Sequence, residues 1–349
     1  MEVYILNENL EIIDFLDAYN SLEWNRKFND PGDFVLNIEL TPQNYQNLRK
    51  RNYLAREDND RLMIIESGAS FTTDNGNVIE VTGRSAESIL DRRIVWNRTE
   101  SKMNETAEDF IRRIITENAI SPTDPARKIP RLVLGARRGF TETIKKQITG
   151  ENLLTAVMEI CKNYNYGFKI TVNENSELVF NLFKGVDRSY NQNTYPFVVF
   201  SDDFDNLINT EIMYDETLFK NVALVAGEGE GNTRKYQTVG SGAGLDRYEL
   251  FVDARDVTSN DGEVTEADYN KMLIERGKEK LAENATVEEY AGNVDTENTY
   301  KVLEDYDIGD TVQIENELGM QATVKITGIL ESNNENGYKI IPTFEKWEI

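Results

Sequence analysis

The stretch from Asn221 to Asp256, NVALVAGEGEGNTRKYQTVGSGAGLDRYELFVDARD, constrains this chain most. Val222 to Ala226 is an unbroken apolar run of the kind buried on at least one face of a sheet. Gly227, Gly229 and Gly231 then stop it, because glycine alone enters positive φ freely and brings no side chain to pack. Tyr248, Leu250 and Val252 alternate with Glu249, Phe251 and Asp253, which predicts a second strand to Ala254. The unit reads as two strands around a long glycine-rich loop, closing on Asp253-Ala254-Arg255-Asp256. A phosphate cradle is the competing reading of the loop. It leads into no helix, carries no Lys followed by Ser or Thr, and sets Glu228 and Glu230 where they would repel phosphate, so it reads as a turn.

Around this unit the periodicity changes twice. Residues 1 to 95 read as β throughout: Val3–Leu6 and Ile12–Phe15 as a hairpin, then a strand with Phe34, Leu36, Ile38 and Leu40 on one face. Arg61–Glu66 and Val78–Arg84 follow, parted by the turn Asp74-Asn75-Gly76-Asn77. From 98 to 205 the pattern is mixed. Thr106 and Asp109 open a helix buried through Ala107, Phe110, Ile111, Ile114 and Ile115. Pro122, Pro125 and Pro130 break the chain, a second helix runs from about Glu151 to Asn163, and a hairpin pairs Phe168–Val172 with Leu178–Phe183. Strands return at Leu207–Tyr214, and Thr265 with Asp268 starts a helix to about Glu283. The end is β again, Thr311–Ile314, Ala322–Leu330 and Tyr338–Thr343, with turns at Leu318-Gly319 and Asn336-Gly337. Gly309 is expected at positive φ just before a strand. The division is 1–97, 98–205 and 206–349, the last with a helical insertion at about 257–293. No repeat is visible in the sequence, yet two β units flanking α-containing insertions is what a duplicated barrel leaves after long divergence.

Length allows two to three domains for 349 residues. No leader and no apolar run of bilayer length is present, so neither signal-directed secretion nor a membrane span is expected. Acidic residues outnumber basic ones 62 to 38, for a net charge of −24 spread along the chain, which disfavours stable nucleic-acid binding. There is no histidine and one cysteine, excluding an internal disulfide, the commonest metal ligand and the usual proton shuttle. Cys161 falls on the apolar face of the second helix and is expected to be buried and inert. Asp202, Asp203 and Asp205 offer a cation site or an acid pair for glycan hydrolysis, weighed against solvated turn residues. Asn260-Asp261-Gly262-Glu263 fails as an EF-hand because Val257 would hold the first acidic position. No catalytic, cofactor-binding or metal residue is assigned.

Three patches carry a resemblance: VAGEGEG followed by Arg234 and, after a strand, DARDV; the C-terminal run YDIGDTVQIENELGMQATVKITGILES; and the N-terminal run EWNRKFNDPGDFVLNIEL. Together they resemble the tail-associated baseplate hub (Tal-like) proteins of long-tailed bacteriophages. The resemblance implies a mainly β fold with α+β insertions, two small tube-like β-barrel domains per chain, and a homotrimer presenting a pseudo-sixfold ring through which DNA passes. It implies a place at the virion tail tip after assembly in the host cytoplasm, with distal tail protein, tape measure protein and tail fibre or tip proteins as partners. Wall-degrading activity, which a C-terminal extension often carries in such proteins, is expected in another protein, since this sequence stops at Trp347-Glu348-Ile349. The alternatives are a wall hydrolase acting through Asp202 and Asp205, and a carbohydrate-binding adhesin using some of the 16 tyrosines.

Overall fold

The computed structural model describes residues 2–73, 76–204, 206–259, 262–294, 300–315 and 321–346. Strands β1 (Val3–Leu6) and β2 (Ile12–Leu16) form the first hairpin, and β3 (Ser21–Lys27) and β4 (Asp33–Glu39) the second. Period-two alternation buries Leu22, Trp24, Phe34, Leu36 and Ile38. A short helix, α1 (Pro42–Asn47), interrupts the expected run of strands; the Thr41 hydroxyl accepts from the Asn44 N–H, and Pro42 needs no N–H in the first turn. Then come β5 (Tyr53–Arg56), β6 (Asn59–Thr73) and β7 (Gly76–Ser85), ending in a 3-10 helix over Ala86–Arg92.

The middle of the chain carries β8 (Thr99–Glu100), α2 (Ala107–Ile115), β9 (Leu132–Leu134), β10 (Gln147–Ile148), α3 (Leu153–Tyr164), β11 (Gly167–Val172) and β12 (Leu178–Phe183). Thr106 caps α2 as expected. The second helix starts at Leu153 because the Asn152 side chain accepts from the N–H groups of Leu154 and Thr155, which makes Asn152 the cap. The apolar faces of α2 and α3 meet Phe168, Ile170 and Phe180 of the hairpin in one core.

Beyond β13 (Val199–Ser201) and β14 (Leu207–Asp215), the Asn221–Asp256 stretch departs from the two-strand reading. It holds three strands, β15 (Val222–Ala226), β16 (Tyr236–Gly240) and β17 (Glu249–Asp253), with β15 central, antiparallel to β16 and parallel to β17. The expected loop contains β16, whose alternation is weak in the sequence because the inward face carries a polar Gln237 and one buried side chain, Val239, while Tyr236, Thr238 and Gly240 face out. Helix α4 (Glu266–Ala282) covers the inner face with Tyr269, Met272 and Leu273, and Gly277 lets it approach Val225 and Val239. This unit is an inserted satellite. The chain is organised instead around a 13-stranded sheet completed by β18 (Val287–Val294), β19 (Thr311–Glu315), β20 (Gln321–Asn334) and β21 (Gly337–Lys346).

That sheet contains a duplication. Its order runs β14-β18-β21-β20-β3-β4-β7-β6-β5-β1-β2, with β19 also on β20. Five strands taken in chain order, β3, β4, β5, β6 and β7, pair as β3-β4-β7-β6-β5. The five strands β14, β18, β19, β20 and β21 pair in the same permutation, β14-β18-β21-β20-β19, every contact antiparallel in both sets. Even the register shifts correspond, between Ile65 and Ser67 in β6 and between Ile326 and Gly328 in β20. The satellite occupies the turn between β14 and β18, where the first set has only the tight β3–β4 connection.

Gly309 has φ +94, as its position before β19 suggested, and a Cβ there would stand 2.5 Å from the Phe28 ring. The turn Leu318-Gly319 lies outside the described residues. At Asn336-Gly337 the expected turn is present, with Gly337 at φ +97.

Candidate functional site

The residues that suggested chemistry in the sequence are structural or outside the described residues. Three amides of the GEGEG loop are already used: Gly227 N–H donates to the Lys235 carbonyl, Glu228 N–H to Tyr269 Oη and Glu230 N–H to Thr233 Oγ1. Arg234 folds back onto the strand ends, donating to the carbonyls of Ala226 and Gly227 and to Asp253 Oδ1 at 2.7 Å. The Glu228 carboxylate accepts from Thr258 and Ser259; burial would push it up, and these hydrogen bonds hold it below the usual range. The glycine, arginine and aspartate pattern therefore ties three strands to the following loop. Cys161 is fully buried in α3, its thiol pushed up by burial. Asp203 is exposed in a 3-10 turn, while the Asp202 side chain and Asp205 lie outside the described residues, as do Asn260 and Asp261. Among the described residues no group of three or more Cys, Asp or Glu side chains is placed to hold a metal, and no helix is long and apolar enough to cross a membrane.

What the fold brings together instead is an open sheet edge and two clusters of buried charge, neither legible in the sequence. In the chain, β20 divides its pairing: residues 321–325 pair with β19, and 328–333 pair with β3. Strand β6 does the same on one side only. Its first half pairs with β5, but from Ser67 to Thr73 its sole partner among the described residues is β7. Burial follows the pairing. Glu66 to Ser70 are exposed on both faces, whereas Gly328, Ile329, Glu331 and Ser332 are buried. At the far end of the sheet β14 pairs, among the described residues, with β18 alone, leaving its other edge open, with Tyr214 exposed.

The first charge cluster sits at the β3–β20 seam. Glu331 Oε2 accepts from Arg56 Nη2 at 2.7 Å and from Tyr338 Oη at 2.8 Å, and Arg26, also buried, bonds Asp307 Oδ1 at 2.7 Å. The second joins the satellite to the middle of the chain. Lys146 Nζ donates to both Glu279 oxygens at 2.7 Å and to Glu159 at 3.2 Å, and Arg276 forks onto Asp256. Burial raises the neighbouring Glu151 carboxyl to about 7, against the pull of Lys146 and with Glu159 adding to the rise. Between its ordinary 4.5 and about 7, the folded chain holds a proton that the unfolded chain has released, so stability falls as pH climbs through that window. Glu151→Gln keeps the neutral amide at every pH. It is expected to raise the melting temperature by about 2–4 °C at pH 8 and to change it little at pH 5. An equal shift at both values, measured by differential scanning fluorimetry, would dismiss the proton from the account.

Residues 2–344 match the family model described as Siphovirus ReqiPepy6 Gp37-like protein. The chain belongs to that family. The family is described by a siphovirus protein. No curated protein sequence matches the chain. Solved structures share its fold at low identity. The tail protein from Neisseria meningitidis MC58 aligns at 13% identity and TM-score 0.60, over 99% of this chain and 96% of its own. Prophage MuSo2 43 kDa tail protein from Shewanella oneidensis aligns at 12% and 0.57, over 99% and 98%. Prophage tail protein gp18 from Listeria monocytogenes EGD-e gives 13% and 0.55, over 100% and 96%. At these identities the likeness is one of fold. With it, the mainly β architecture of this Gp37-like chain is that of phage tail proteins.

Proposed function

We propose that the chain is a structural hub subunit at the tail tip, whose copies close into a ring that joins the tail tube to the host-facing tip and lets DNA pass. The observation that carries this reading is the duplicated strand order together with the contact between its halves. The second five-strand set offers its fourth strand, β20, to the first strand of the other set, β3. The first set has the same fourth strand, β6, with the corresponding half unpaired, and the second set has the corresponding first strand, β14, at an open edge. Repeating the internal contact between copies, β6 to β14, is head-to-tail association, which closes when the rotation per unit divides the circle. Three copies would set out six such units. On this reading 1–97 and 206–349 each supply one barrel-like tube domain, 98–205 and the satellite decorate the outside, and the protein itself is not an enzyme. Distal tail, tape measure and fibre or tip proteins are the partners expected above and below.

Identical subunits carrying −24 each repel. Screening shortens that repulsion to roughly 8 Å at physiological ionic strength, so strand-edge association is expected to strengthen from very low to moderate salt. Sedimentation velocity at fixed protein concentration measures it. A trimer that dissociated as salt rose would mark ion pairs as the dominant contact, and a monomer at every salt concentration, with tail partners added, would remove the ring.

A further inference from the structure

Beyond the ring, we infer that a cationic groove beside Trp96 is a docking site for a short acidic segment of a partner protein. The groove holds about 380 Å³ and is lined by Arg92, Arg93, Trp96 and Arg127 together with Asp91 and Asp124, three cations to two carboxylates. Its positive charge is fixed in place by neutral acceptors. Arg93 donates to the backbone carbonyls of Arg92, Arg127 and Lys128. Arg127 donates through Nη2 to the Ile94 carbonyl at 2.7 Å and lies over the Trp96 ring, 4.9 Å from its centre.

No ion pair among the described residues involves Arg92, Arg93, Arg127 or Lys128. The two lining carboxylates already accept hydrogen bonds: Asp91 from Arg84 and Asn152, and Asp124 from the Ala126 N–H of its own turn. The arginines crowd one another, and burial together with Arg127 and Arg92 lowers the basicity of Arg93. A carboxylate entering the groove relieves that crowding.

The support beneath is rigid. Buried Asn118 lies in the single π-helical turn Thr116–Ile120 that continues α2. Its side chain donates to the Ile114 carbonyl, and its Oδ1 accepts from the Trp96 N–H at 3.0 Å and from Arg127.

The occupant follows from charge and size. A chain with 62 acidic and 38 basic residues repels a long polyanion overall, whereas a short segment can sit against three arginines that outnumber the two carboxylates of the groove. One face of Trp96 carries Arg127, and the ring remains 61% exposed, free to receive an aliphatic side chain next to the carboxylates. Arginine forks then bind each carboxylate through two parallel N–H donors.

Fluorescence anisotropy tests the site on the full chain at low salt. The probe is a short fluorescein-labelled peptide of alternating glutamate and leucine, beside its glutamine counterpart and a single-stranded DNA oligonucleotide. The glutamate peptide is expected to bind, the glutamine peptide to bind at least about tenfold more weakly, and added salt to weaken the complex. Arg127→Gln should remove binding. Because that change also cuts a bond to the Ile94 carbonyl, Arg92→Glu, at an exposed position, supplies the independent arm and should cost about tenfold or more. Equal binding of both peptides, binding indifferent to Arg92→Glu, no binding at all, or tighter binding of the oligonucleotide would each overturn the proposal.

Discussion

Glu331→Ala is expected to destabilise the chain by about 3–5 kcal/mol, the range for removing one partner from a buried ion pair. Glu331 is 3% exposed, and its carboxylate serves four neighbours: Arg56 and Tyr338 through Oε2, Asn59 at 3.2 Å and Arg26 at 3.5 Å through Oε1. Arg26 and Arg56 are buried. Without Glu331, Arg26 keeps only Asp307, and Arg56 keeps Asp58, whose side chain is largely in water. Arg26 Nη2 and Arg56 Nη1 already have no hydrogen-bond partner among the described residues, so nothing nearby is left to absorb the loss. These groups come from β3, β5, β6, β20 and β21, which spans both strand sets. Chemical unfolding should therefore show one lowered midpoint for both sets together. Glu331→Gln, which keeps the shape and removes the charge, should recover little of the loss. A cost under about 1 kcal/mol would mean that water reaches the arginines.

How much of this was legible beforehand depends on the range of the interaction. Helices α2 and α4 were placed by Thr106 with Asp109 and Thr265 with Asp268, because a cap acts over three residues and is written locally. The strands at Phe34–Leu40 and the hairpin 167–183 were equally plain, since period two shows wherever one face is buried. Strand β16 was hidden because its outer face is exposed and it buries one side chain. The seam between the strand sets could not be read, because Arg26, Arg56 and Glu331 come together only when β3 lies against β20, some 300 positions apart in the chain. The Trp96 groove was missed for the same reason. Arg93 and Arg127 look like ordinary surface cations until backbone carbonyls, rather than carboxylates, are seen to hold them. The duplication left no trace in the residues because a pairing order constrains hydrogen bonds of the main chain, which nearly any side chain permits.

Proline at an outward-facing N–H in the half of β6 that lacks a β5 partner is expected to weaken ring assembly at least about tenfold while leaving a folded monomer. Ala69 pairs with Glu80 and Ser70 with Ile79, both on β7. In an antiparallel strand neighbouring N–H groups point to opposite sides, so one of these two residues donates to β7 and the other faces the open edge. Ala69→Pro and Ser70→Pro should thus differ in kind. The substitution on the inward N–H breaks a ladder bond and lowers the melting temperature. Its outward counterpart removes a donor that the single chain does not use, and places a ring where a β14 strand would have to lie. Because edge pairing repeats a contact that covers six register positions in β20 and β3, losing one central donor and its close approach should weaken association at least about tenfold. Sedimentation velocity at moderate salt, with thermal melting on the same samples, separates the outcomes. Should both variants assemble like the parent while remaining folded, the β6 edge is not the contact, and copies must meet through another surface.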